Sequence, residues 1–108
     1  MSNDKNIPNP YGRKGGIEHQ AKVKEVATDI KERGFLAVFE KFLRLFNGKG
    51  KFMDVVAIEE ENNQIVEIHQ VGKQNQDGRP VKRERDTIEE VTQNYGIKPM
   101  FHSYNKKD

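Results

Sequence analysis

The clearest pattern along the chain is a pair of apolar runs on either side of an acidic turn. Residues 51–59 carry Phe52, Val55, Val56 and Ile58, and residues 64–71 carry Ile65, Val66, Ile68 and Val71. Apolar side chains fall on both parities of each run, which predicts strands covered on two faces. Glu60, Glu61, Asn62 and Asn63 supply the turn of a hairpin between them. Upstream, Ala21, Val23, Val26, Ala27 and Ile30 form a stripe of helical period that predicts a helix over 17–33, stopped by Gly34. Downstream, a polar loop over 72–80 turns at Asp77-Gly78. Ile88 and Val91 then mark the inner face of a second helix over 81–94, with Gly96 just past its end. Residues 97–104 predict a last strand, and Pro99 puts it at a sheet edge or marks where it starts.

Residues 35–46 read two ways. Apolar positions 35, 36, 38, 39, 42, 43, 45 and 46 fit one helical face, with Ala37, Glu40, Lys41 and Arg44 opposite. Periodicity by itself favours a helix. The Val and Phe content, and the lack of a clear N-cap after Gly34, fit a strand. Asn47-Gly48-Lys49-Gly50 is a turn or loop. Residues 1–16, with two prolines and three glycines, read as a flexible lead, and 106–108 as a tail. That leaves one domain over 17–105, long enough for a modest core.

Composition narrows the classes. The net charge of +2, from 19 basic and 17 acidic residues, is too small to establish a nucleic-acid partner. Distribution says more: Lys73 precedes, and Arg79, Lys82, Arg83 and Arg85 surround, the start of the second helix. Cations there oppose the helix dipole unless phosphate or acidic partners offset them. Glu84, Asp86, Glu89 and Glu90 offer such partners at helical spacing, so a salt-bridged solvated face is the plain alternative. Arg13 and Lys14 in the lead are further phosphate candidates or simply solvated. The absence of cysteine excludes disulfides and thiolate metal sites, and fits a cytoplasmic site of action. No apolar run is long enough to span a membrane, so no membrane partner is expected, and any export would need a larger parent protein.

The chemistry concentrates in the hairpin. Asp54, Glu67, His69 and Gln70 interrupt strands that otherwise look buried. Charges in such a place are costly unless paired. Two carboxylates on neighbouring strands suit Mg2+ or Mn2+, which take oxygen ligands and leave water positions open. Such an ion polarises a phosphodiester and activates water. Alternation puts Glu67 and His69 on one face. Asp54 joins them only in an odd register, opposite His69 or Val71. His69 is then placed to orient water or stabilise the phosphate, and Gln70 reaches the site only through a bulge. Glu18, in the first helical turn, suits the helix dipole; alternatively it or His19 contacts the metal or its water. The plain alternative has Asp54 and Glu67 solvated or paired with Lys51 and Lys73, and His69 as a satisfied core residue. A zinc site from His19, His69 and His102 lacks any local ligand spacing.

Met53-Asp54 followed by Glu67-Ile68-His69, in the order helix, ambiguous run, strand, strand, helix, strand, resembles the restriction-endonuclease-like PD-(D/E)XK superfamily. Met53 stands where that motif has proline and His69 where it has lysine. The stretches YGRKGGIEHQAKV, FMDVVAIEE, VEIHQVGK and RPVKRERDTIEEV are similar to the nuclease domains of bacterial polymorphic toxins. The resemblance covers residues 11–105. It implies an α/β (α+β) fold with an αβββαβ core and a mixed central sheet, in which residues 35–46 form the first strand. It also implies a Mg2+-dependent endonuclease acting on DNA: Asp54 and Glu67 as metal ligands, His69, Gln70 and Glu18 as catalytic groups, and a cognate immunity protein as partner. With histidine at the lysine position, Lys73 or Gln70 is the candidate to take over its role. Lys73, Arg79, Lys82, Arg83 and Arg85 would hold nucleic acid. A second expectation, from another class, is a binding module for nucleic acid or protein that needs no metal.

Overall fold

A computed structural model describes residues 16–105. Of the expected lead over 1–16, residues 1–15, with Arg13 and Lys14, lie outside the described residues, as does the tail over 106–108. The elements are α1 (Ile17–Glu32), β1 (Leu36–Arg44), β2 (Gly50–Glu59), β3 (Gln64–Gly72), α2 (Lys82–Tyr95) and β4 (Met100–Ser103). The class is α+β. One mixed sheet has the order β1-β2-β3-β4, with β1, β2 and β3 antiparallel and β4 parallel to β3. Among the described residues no helix is long and apolar enough to cross a membrane.

The helices take opposite faces of this sheet. Val26, Ala27 and Ile30 of α1 pack on Val55, Ala57 and Val71. Val91 of α2 packs with Leu43, Met53, Val56, Ile58 and Ile68. Two-sided cover explains why β2 and β3 are apolar on both parities. Burying a side chain such as Ile30 or Ile68 stabilises the fold by about 1.5–3 kcal/mol. Gly34 (φ 94) follows α1 and Gly96 (φ 72) caps α2, both in the left-handed conformation that glycine takes without steric cost. Ile88 is only partly buried, and Thr87 shares the inner face of α2 with Val91. β4 starts directly after Pro99 and is shorter than the 97–104 run expected.

Residues 36–44 form a strand, despite their helical period. It pairs with β2 from Leu36↔Ile58 to Arg44↔Gly50. Its pleat changes phase midway. Ala37 packs on the α1 side and Val38 on the α2 side, as alternation requires. Leu43, five residues after Val38, is again on the α2 side. The same slip occurs in β2, where Met53 lies on the α2 side and Val55 on the α1 side. The two slips meet at Glu40 and Asp54, between the pairs Phe39↔Val55 and Lys41↔Met53. Glu40 absorbs the twist at φ 50, a left-handed conformation that costs a non-glycine residue about 1–3 kcal/mol.

Candidate active site

The β2–β3 ladder runs through Ala57↔Glu67, Val56↔Ile68 and Val55↔His69 and stops there, whereas β2 continues along β1 to Gly50. Asp54 sits where the two strands part. Side chains replace the missing rungs. The Val71 N–H donates to Asp54 Oδ2 at 2.8 Å, and the Asp54 N–H donates to Gln70 Oε1 at 3.3 Å. Gln70 also hydrogen-bonds Glu84 of α2, which its amide NH2 group can donate to. Gly72 makes room for that carboxylate: a Cβ there would lie 2.7 Å from Glu84 Oε2.

From the other face, His19 Nε2 of α1 stands 3.4 Å from Asp54 Oδ1. The His19 ring meets Tyr104 edge-on, with centroids 5.8 Å apart, and its buried Nδ1 has no hydrogen-bond partner among the described residues. Burial pushes the Asp54 carboxyl up, against the opposing pull of the Val71 N–H and His19, and the nearby charge of Glu40 adds to the rise. Burial likewise raises Glu84, while Gln70 lowers it and Asp54 raises it further. Asp54, His19, Gln70 and Glu40 line one cleft of about 720 Å³, together with Val23, Lys24, Phe39 and Phe52.

Glu67 and His69 belong to a different network. The odd register that would set Asp54 opposite His69 or Val71 is not formed; Val55 pairs with His69 instead. Arg33, the C-cap residue of α1, grips Glu67 with both nitrogens, Nη1 to Oε2 at 2.7 Å and Nη2 to Oε1 at 2.8 Å. Glu67 Oε1 also lies 2.8 Å from His69 Nε2. A carboxylate only accepts, so the His69 Nε2–H donates to Glu67, and His69 Nδ1 lies 2.8 Å from His102 Nε2. These contacts, led by Arg33, hold the Glu67 carboxyl down to about 2. Burial, the neighbouring His69 and Lys22 lower His102, against Glu25 and Asp29. His69 is thus a satisfied buried residue, and among the described residues Glu67 and His69 hydrogen-bond to Arg33 and His102, whereas Asp54 bonds Val71 and Gln70 and faces His19.

Glu18 is exposed in the first turn of α1; its neighbour His19 is the residue that reaches Asp54. Among the described residues, none of Lys73, Arg79, Lys82, Arg83 and Arg85 lines the Asp54 cleft. Arg79 pairs with Asp77, Lys82 with Asp86, and Arg85 donates to the Pro80 carbonyl. Lys73 and Arg83 are exposed. Sequence reasoning missed Glu84 and Glu40. Glu84 is one acid among four cations, and only the space at Gly72 hints at its inward turn; Glu40 looked like the polar side of a helix.

No protein-family model, no curated protein and no solved structure matches this chain. Among the described residues no group of three or more histidine, aspartate or glutamate side chains is arranged to hold a metal ion. Mg2+ does not require one, since it is commonly bound through one or two carboxylates and keeps several waters. The donor chemistry around Asp54 fits such an ion: a carboxylate with its Oδ2 engaged by the backbone and an amide oxygen beside it.

Proposed function

We propose that this chain is a divalent-cation-dependent nuclease hydrolysing phosphodiester bonds of DNA, on a restriction-endonuclease-like core. One observation carries this: Asp54 stands half-buried in a cleft where the sheet splits, with its charge left partly uncompensated. The element order αβββαβ, with β4 parallel to β3, supports the same family.

Asp54, with the Gln70 amide beside it, would hold the ion. When bound, the ion polarises the phosphate and lowers the pKa of the attacking water. His19, facing Asp54, would take the proton of that water as its oxygen bonds to phosphorus; the P–O bond to the sugar oxygen breaks, and that oxygen leaves with a proton from solvent. Glu84 acts from behind, fixing the Gln70 amide. Lys24, exposed on the cleft wall, offers a charge to phosphate. Glu67 takes the role of a structural acid, and His69 does not replace the motif's lysine.

The test is nicking of supercoiled plasmid with Mg2+. Wild type and Glu67→Gln should nick the plasmid, and Asp54→Asn should not. Equal rates for wild type and Asp54→Asn would refute the proposal. Binding without cleavage, and no thermal shift with Mg2+ or Mn2+, would mark a binding module instead.

A further inference from the structure

The cleft that holds Asp54 has an aromatic wall that hydrolysis of a phosphodiester does not need. Phe39 on β1 and Phe52 on β2 line it, at 47% and 65% exposure. Phe42, paired opposite Phe52, extends the wall with its ring edge-on to Phe52, centroids 5.0 Å apart. The Arg44 guanidinium lies over the Phe42 ring at 5.8 Å. Three phenylalanines exposed together on one ribbon are a contiguous apolar patch of the sort that marks a binding surface. The Phe42 ring is also held in place: it lies against Gly50, where any Cβ would collide with it.

The strand slip explains how this wall arises. At Glu40 and Asp54 the β1–β2 ribbon changes phase, and Asp54 is left at the foot of the wall. A groove with the Asp54 and Glu40 carboxylates and Lys24 in its lining, aromatic faces on one side, and Arg44 over the adjoining Phe42 matches one ligand chemistry. Bases stack on aromatic rings regardless of sequence, and cations follow the phosphates. Bases inside a duplex present no free face, so stacking requires an unpaired nucleotide. The cleft volume of about 720 Å³ lies within the range of small-ligand sites, roughly 300–1,000 Å³.

We infer that the substrate of this site is an unpaired nucleic-acid segment, whose base stacks on Phe52 and Phe39 while its phosphate faces Asp54. This inference rests on the nuclease proposal for the chemistry, but its test does not need cleavage. A single-stranded oligodeoxynucleotide carrying 2-aminopurine is titrated in EDTA against wild type, Asp54→Asn, Phe39→Ala, Phe52→Ala and Phe52→Trp. An oligoribonucleotide and a blunt duplex of the same sequence serve as parallel arms.

Stacking predicts fluorescence quenching by wild type and Asp54→Asn on single strands. Each alanine variant should bind about 5- to 100-fold more weakly, following the usual effect of removing a stacked aromatic. Phe52→Trp should restore binding, and the duplex arm should not distinguish the variants. Equal single-strand affinity for wild type and Phe52→Ala would overturn the inference. So would an oligomer that Phe52→Ala dissociates without altering oligonucleotide binding, since the wall would then be a contact between copies. Quenching without Mg2+-dependent cleavage of any strand would sink the nuclease proposal alone. Plasmid nicking without quenching would sink the stacking site alone.

Discussion

Replacing Glu67 by glutamine should lower stability and leave DNA cleavage intact, the opposite of what the sequence motif implies. The substitution keeps the shape of the side chain and removes its charge. In the folded chain the carboxyl is held down to about 2, against an ordinary value of 4.5. A depressed acid contributes stability that is fully present above its ordinary value and is lost as pH falls from there through about 2. Each tenfold change in proton affinity corresponds to about 1.4 kcal/mol, which bounds the contribution of Glu67 near 3 kcal/mol. Arg33 is 39% exposed, so solvent screening reduces this to roughly 1–2 kcal/mol. For a domain of this size each kcal/mol moves Tm by roughly 4–8 °C. The assay is thermal and urea unfolding of wild type and Glu67→Gln from pH 7 down to pH 2. The gap between them should be full at pH 7 and close below pH 4.5. Plasmid nicking, measured well below both transitions, should differ little. Equal stability at pH 7, or a folded Glu67→Gln that cannot cleave, would refute this assignment of Glu67 to structure.

Three further outcomes follow from the geometry. Asp54→Asn keeps an acceptor for the Val71 N–H and removes a charge that burial disfavours, so it should melt no lower than wild type while losing cleavage. Asp54→Ala strands that N–H and should cost about 1–3 kcal/mol; a markedly destabilised Asn variant would contradict this. Gly72→Ala pushes a Cβ against the Glu84 carboxylate, loosening its hold on Gln70. Cleavage should fall about 10- to 100-fold with little change in Tm, as when a positioning group moves by about an ångström; unchanged kcat would remove Glu84 from the site. Ile30→Ala opens a cavity in the core under α1 and should cost about 2–5 kcal/mol by chemical unfolding without affecting kcat at low temperature.

Residues 35–46 show why part of the fold was hard to read. Patterning within each of the other elements was enough: Gly34 and Gly96 ended helices, the acidic turn paired two strands, and Pro99 preceded the last one. In β1 the inward face changes side at Glu40. A strand whose pleat slips in mid-run places apolar residues at odd separations, as Val38 and Leu43 are placed, and odd separations mimic a helical stripe. The signal for the slip is conformational, a left-handed glutamate, and no residue type announces it. The ladder itself depends on a one-residue shift between Ala57 and Ile58, next to a turn with Asn63 at φ 61. Four polar residues in a turn do not specify which of two registers results.

That register separates two acids that look equivalent along the chain. Both Asp54 and Glu67 interrupt apolar strands, and each was equally eligible to hold a cation. Glu67 falls within reach of the helix-terminal Arg33, and its charge is neutralised by a two-nitrogen grip before any ligand arrives. Asp54 falls where two strands part; its backbone partner fixes Oδ2, and the His19 imidazole faces Oδ1 at 3.4 Å. An acid already satisfied by arginine gains little from a metal, because binding would have to displace a charge-assisted pair. An acid held in a cleft with an incomplete shell gains the most. The strand slip that obscured β1 is therefore tied to the site: it turns the Asp54 carboxylate toward His19, opens the cleft beneath α1, and sets the phenylalanine wall beside it. Glycine at position 40 offers a way to separate these effects. It would relieve the backbone strain at φ 50 while removing one carboxylate from the cleft, so Glu40→Gly should raise stability if strain dominates. Glu40→Gln removes the same carboxylate and keeps the left-handed backbone, so Glu40→Gly should melt above Glu40→Gln; equal melting would show that φ 50 stores no strain.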